Sequence, residues 1–200
     1  MNKKSVAVLL AVLLVIGIAI GGTMAWLTST PSDVINTFTA GDVNITLDET
    51  GTELVPDGDG DKAKDFQMIP GWTIDKDPKV TVLDGSEACY VFVQAVKSEN
   101  FDSYMTYQIA GGWTELPGYT GVYYQEFAEK ITEDTELQVL KEDRVTVLDS
   151  VTKEMMNSLD NRSDYPTLTF KAYAIQLYKN NTEKFSATEA WQNVSTQSNA

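Results

Sequence analysis

The stretch CYVFVQAV, residues 89–96, decides the fold class. In an extended chain Val91, Val93 and Ala95 fall on one side and Tyr90 and Phe92 on the other. Both sides are apolar, so the segment reads as a strand buried on two faces in the middle of a sheet. Cys89 is the chain's only cysteine, so no intrachain disulfide can form. Its expected role is that of a small buried core residue.

The neighbouring segments read the same way. Val43, Ile45 and Leu47 alternate with Asn44, Thr46 and Asp48, the pattern of a strand with one buried face. Further strands are expected over 72–82, 105–110, 122–127 and 136–147, and TLTFKAYAIQLY at 167–178 is a strong last strand. Pro70-Gly71, Asp84-Gly85, Gly111-Gly112, Pro117-Gly118 and Gly121 punctuate them as turns. DSVTKEMMNSL, 149–159, is the best helix: Asp149 or Ser150 can cap it, and Val151, Met155 and Leu159 share one face. A short helical turn is expected over 187–191, and a disordered tail over 195–200. Trp72 and Trp191 are expected in the core, while Trp113, in a loop, either packs inward or offers an exposed contact. The sum is a mainly β chain, an antiparallel β-sandwich over 42–194 with one or two short helices.

Charge and composition exclude several function classes. The 200 residues carry 15 Lys+Arg against 29 Asp+Glu, a net charge of −14. Residues 1–25 hold Lys3, Lys4 and no acid, leaving 13 Lys+Arg against the same 29 acids, a net −16. Such a surface repels phosphate backbones, so no nucleic acid is expected as a partner. There is no histidine. That removes the commonest general base, the usual zinc ligand, every Ser-His or Cys-His dyad and the HExxH zinc site.

The N-terminus reads as a secretion signal. Lys3 and Lys4 precede an unbroken apolar run over 6–20, a suitable length for a signal peptide and short for a spanning helix. Thr23 and Ala25 then stand at −3 and −1 of a cut that would make Trp26 the new N-terminus. Counted through Leu27, the same run also suits an uncleaved anchor, the one route by which this chain would hold to a membrane. Residues 26–41 follow as an extended polar segment, with Val34, Ile35 and Phe38 as its apolar positions.

GGTMAWLTSTPSDVINTFTAGDVNITLDE resembles the N-terminal signature of the TasA/camelysin family of Gram-positive bacteria. The matching elements are Gly21, Gly22, Thr23 and Ala25, then Asn36, Phe38 and Gly41, then the alternating Val43, Ile45 and Leu47. Residues 70–96 look like the family's turn, strand, turn and central strand, and AYAIQ at 172–176 with Ala190-Trp191 looks like its C-terminal signature. The match is looser between 100 and 165, and Leu83-Asp84 stands where the family commonly has Asn. The resemblance implies a jelly-roll-like sandwich and cleavage after Ala25 by a dedicated, ER-type signal peptidase (SipW). It also implies subunits of extracellular biofilm-matrix fibres, in which one subunit's N-terminal segment completes the next subunit's fold.

Two acidic patterns are weaker. Asp57, Asp59 and Asp61 in DGDGD resemble the start of a Ca²⁺ loop, with Asp65 nearby, but Lys62 and Met68 stand where such a loop needs glycine and glutamate. A solvated acidic turn is the simpler reading, with a weak Ca²⁺ site as the alternative. Asp75, Asp77, Glu133, Asp134 and Glu136 are abundant surface acids from which a paired-carboxylate site would have to be drawn.

The expectation is therefore a secreted, non-enzymatic structural subunit, extracellular or at the cell surface, without a cofactor. Its assembly strand would comprise Val34, Ile35, Phe38, Val43, Ile45 and Leu47, pairing with another copy or a related matrix subunit. The alternatives are a monomeric surface-binding module or adhesin and, less favoured, a camelysin-like metalloprotease, whose zinc would need carboxylate ligands alone.

Overall fold

The computed structural model describes residues 28–29, 43–50, 53–54, 62–63, 66–180 and 182–197. It is mainly β, and every strand pairing is antiparallel. The strands are β1 (Thr28–Ser29), β2 (Ile45–Asp48), β3 (Glu53–Leu54), β4 (Lys62–Ala63), β5 (Thr73–Asp75), β6 (Lys79–Val82) and β7 (Cys89–Lys97). They continue with β8 (Met105–Ile109), β9 (Thr114–Glu115), β10 (Val122–Phe127), β11 (Thr135–Gln138), β12 (Leu140–Val147) and β13 (Leu168–Gln176). Among the described residues three short helices accompany them: α1 (Phe101–Tyr104), α2 (Lys153–Asn157) and α3 (Ala187–Gln197). Among the described residues no helix is long and apolar enough to cross a membrane.

The largest sheet runs β1-β13-β7-β10-β9. Two three-stranded sheets, β11-β6-β2 and β5-β12-β8, face it, and β3-β4 form a small hairpin pair. β7 lies between β13 and β10, as its two apolar faces require. Cys89, Val91 and Val93 point into one core with Val80 and Val82 of β6 and Val145 and Val147 of β12. Tyr90 and Phe92 point the other way, where Tyr173, Ile175, Leu177 and the apolar side of α3 cover them. The large sheet is thus a middle layer, with sheets on one face and a helix on the other. Burial disfavours the charged thiolate and pushes the Cys89 thiol up to about 12.

Several boundaries differ from the sequence expectation. The strand expected over 72–82 is two strands in different sheets, β5 and β6, because the chain turns through Lys76, Asp77 and Pro78 between them. The strand expected over 136–147 likewise divides at Val139 into β11 and β12. β12 carries an irregularity of its own. Glu142 (φ 58°) and Asp143 (φ 55°) are left-handed, and the register against β8 shifts between Leu140 and Val145. The helix expected over 149–159 shrinks to α2, and its cap is Thr152, whose side chain accepts from Met155 N–H at 3.2 Å. Val151 is buried and Met155 and Leu159 pack against the core, although of the three only Met155 lies within α2.

Trp191 is buried, but Trp72 is 62% exposed, contrary to the core position expected for it. Trp72 belongs to the turn closed by Trp72 N–H to Ile69 O (3.0 Å), one residue before β5 begins, so strand alternation does not direct its side chain inward. Gly71 makes that turn at φ +75°, where a Cβ would stand 2.4 Å from Asp149 Oδ1. Trp113 is half-buried against the core, and its Nε1–H donates to Gln138 O at 2.7 Å.

The helical turn expected over 187–191 is a full helix, three residues into the tail read as disordered. Residues 186–189 read Ser-Ala-Thr-Glu and form a capping box. Glu189 N–H donates to Ser186 Oγ (3.3 Å), while Ser186 N–H and Oγ–H donate to Glu189 Oε2 (2.9 and 2.8 Å). Lys179 Nζ donates to Glu189 Oε1 at 2.9 Å. The bond from the Ser186 backbone first, then that from Lys179, holds the Glu189 carboxyl down to about 2. A lowered folded-state pKa stabilises above the ordinary value of 4.5, and that contribution is lost as pH falls through about 2. Urea titrations are therefore expected to show wild type more stable than Glu189→Gln at pH 7, with the gap closing as pH falls from 4.5 to about 2.

Candidate functional site

The chemistry available to an assembly strand is main-chain hydrogen bonding at a sheet edge. β13 offers such an edge. On its inner side all nine residues pair with β7, from Leu168 opposite Lys97 to Gln176 opposite Cys89. On its outer side, among the described residues, the strand partner is β1 alone, Thr28 opposite Ile175 and Ser29 opposite Ala174. Leu168 to Tyr173 have no described strand on that side.

The sequence of β13 builds the surroundings of this edge. Phe170, Ala172 and Ala174 face the core between the sheets, and Tyr173 and Ile175 face α3. The two alanines are small enough for β2 to pass close to β13. Tyr173 is fixed in turn: its ring meets Trp191 edge-on at 5.1 Å, and its hydroxyl donates to Gln94 Oε1 at 3.3 Å. The edge thus has β2 beside one face and α3 over the other.

The residues expected to form the assembly strand separate into two groups. Val43 and Ile45 are buried and Leu47 packs against them in the protein's own core. Ile45 stands opposite Val82 and Leu47 opposite Val80, so β2 is completed within the chain by β6. These three belong to the body of the domain, because their side chains fill its core, and any segment given to a neighbour lies upstream of them. Val34, Ile35 and Phe38 lie outside the described residues, as do Thr23, Ala25 and Trp26 of the expected cut and Asp57, Asp59 and Asp61 of the acidic loop. Thr28 and Ser29, which do pair at the edge, were not singled out by sequence. Main-chain pairing by polar residues leaves no apolar pattern to find; the β-prone Thr28 was the available signal.

The surface carboxylates have separate roles. Asp77 accepts from Thr50 N–H (3.1 Å) and Thr50 Oγ1–H (2.7 Å). Burial raises the Asp77 pKa, but the Thr50 bonds, with the smaller pull of Lys79, outweigh it and leave the carboxyl below its ordinary range. Asp134 accepts from Asp84 N–H at 2.8 Å, and Asp75 lies 4.0 Å from Arg144 Nε. Among the described residues no three His, Cys, Asp or Glu side chains converge as a metal site. No protein-family model, curated protein or solved structure matches the chain.

Proposed function

We propose that the protein is a secreted structural subunit of an extracellular, biofilm-matrix type of fibre. Its fold would be a jelly-roll-like sandwich, and it would assemble when the N-terminal segment of one subunit pairs with the β13 edge of the next. The observation that carries this reading is the two-residue pairing of β1 on an edge whose remaining length has no described strand partner. The pairing of Thr28 with Ile175 and Ser29 with Ala174 is chemically the same within one chain or between two. Residues 30–42 connect β1 to the body of the domain, and thirteen residues reach about 45 Å at full extension, enough to arrive at a neighbouring molecule. A contact made head to tail in this way does not close, and repetition gives a filament. The resemblance to the TasA/camelysin signature supports the same reading, with SipW-type cleavage after Ala25 freeing the segment. In this proposal the protein is not an enzyme and needs no cofactor.

A second reading, a monomeric surface-binding module, is favoured by one observation: β1 pairs with β13 of its own chain. The two are separated by comparing the chain over 26–200, with its native N-terminus, with a chain that starts at Asp42 and so keeps β2 and the core. Negative-stain electron microscopy is expected to show filaments for the first and single particles for the second, with matching circular dichroism. Single particles from both overturn self-assembly.

A further inference from the structure

A separate cleft opens where the large sheet meets the edge of β8. It is a shallow depression of about 420 Å³, broadly open to solvent. Tyr107 and Ile109 of β8 line one side and Tyr123 of β10 and Lys97 of β7 the other, and Asp102 of α1 closes the rim; the side chains of Thr106 and Gln108 alternate with these and point to the exposed face of β8.

The residues give the cleft a definite chemistry. The Tyr107 ring is held edge-on by Phe101 (5.9 Å) and Phe170 (6.2 Å), so its position is fixed. Lys97 Nζ donates to both oxygens of Asp102, at 2.8 and 2.6 Å, so the cation and the carboxylate cancel. Burial, then the neighbouring Tyr123, Asp102 and Glu115, push the Tyr107 hydroxyl up to about 12, and burial and Glu115 raise that of Tyr123. Both phenols stay neutral donors.

Two neutral phenols beside aromatic carbon match a ligand with many hydroxyls and an apolar C–H face. The paired charges leave nothing to select a phosphate or carboxylate, and a protein of net charge −14 repels polyanions. An open cleft accommodates a segment of a chain. We propose that this cleft binds a neutral polysaccharide chain through Tyr107 and Tyr123. The assignment is independent of the fibre reading, since the cleft lies on the body of the domain, and it holds for a monomer or a filament.

The purified full-length chain is applied to an array of neutral and uronic-acid-containing oligosaccharides, and neutral hits are measured by calorimetry. Neutral oligosaccharides are expected to be retained in preference to acidic ones. Tyr123→Phe and Tyr107→Phe are each expected to weaken binding about 2–10-fold, the effect of one hydrogen bond, with unchanged thermal melts. Retention of no neutral oligosaccharide overturns the assignment. Stronger retention of acidic ones does so too, as does neutral binding unaffected in folded variants.

Discussion

Replacing Trp191 with alanine is expected to cost the fold about 3–5 kcal/mol, the range for removing a large buried aromatic side chain. Typical domains hold only about 5–15 kcal/mol, so the loss is a large share of the total. Trp191 is 4% exposed and sits where three elements meet. It lies 5.1 Å from the Tyr173 ring, 5.5 Å from Phe92 and 6.3 Å from Tyr119. With Ala190 and Val194 it is the apolar side of α3, and without it the outward face of the large sheet loses its cover. A urea titration of Trp191→Ala is expected to show the fall in midpoint, and a dye for exposed apolar surface is expected to bind. Trp191→Phe, which keeps part of the volume, is expected to lose much less. Equal stability of Trp191→Ala and wild type would mean that α3 is not a structural layer.

Ser86→Ala is expected to cost about 1–3 kcal/mol, the penalty for leaving a buried donor without its acceptor. Ser86 is fully buried, and its Oγ accepts from Asn44 N–H at 3.1 Å while donating to Asn44 O at 3.3 Å. Asn44 O keeps a second donor, Leu83 N–H at 2.9 Å, so the Asn44 N–H bears the loss. These bonds pin the chain beside Val43, where the N-terminal segment meets the body of the domain. The Asn44 amide is therefore expected to exchange its hydrogen faster in Ser86→Ala, along with the drop in midpoint. Unchanged exchange at Asn44 would show that the chain is held there by the packing of Val43 and Ile45 alone.

The physical reason some features were legible is that they are local or periodic. Residues 89–93 are apolar on both sides and are buried on both, as the middle of a covered sheet requires, while Val96 near the end of β7 is 41% exposed. β10 and the last strand followed from their strand-favouring composition, and the turns from glycines such as Gly85, Gly112 and Gly118, which adopt positive φ. The absence of histidine limited the chemistry before any fold was considered.

Other features depend on partners far along the chain. Nothing in the local pattern says that 72–82 and 136–147 each serve two sheets, because a strand changes sheet where its neighbours end. Trp72 was misplaced because hydrophobicity predicts burial only where backbone geometry turns the side chain inward. The pairing at the β13 edge uses main-chain groups that every residue but proline carries, so sequence cannot mark them. The cleft gathers Lys97, Asp102, Tyr107 and Tyr123 from four elements. By itself the sequence determined a mainly β chain with a two-faced central strand, since periodicity and residue volume constrain each segment alone. Which edge β1 joins, which face α3 covers and which tyrosines meet were decided by tertiary structure, because each depends on how separately formed elements pack.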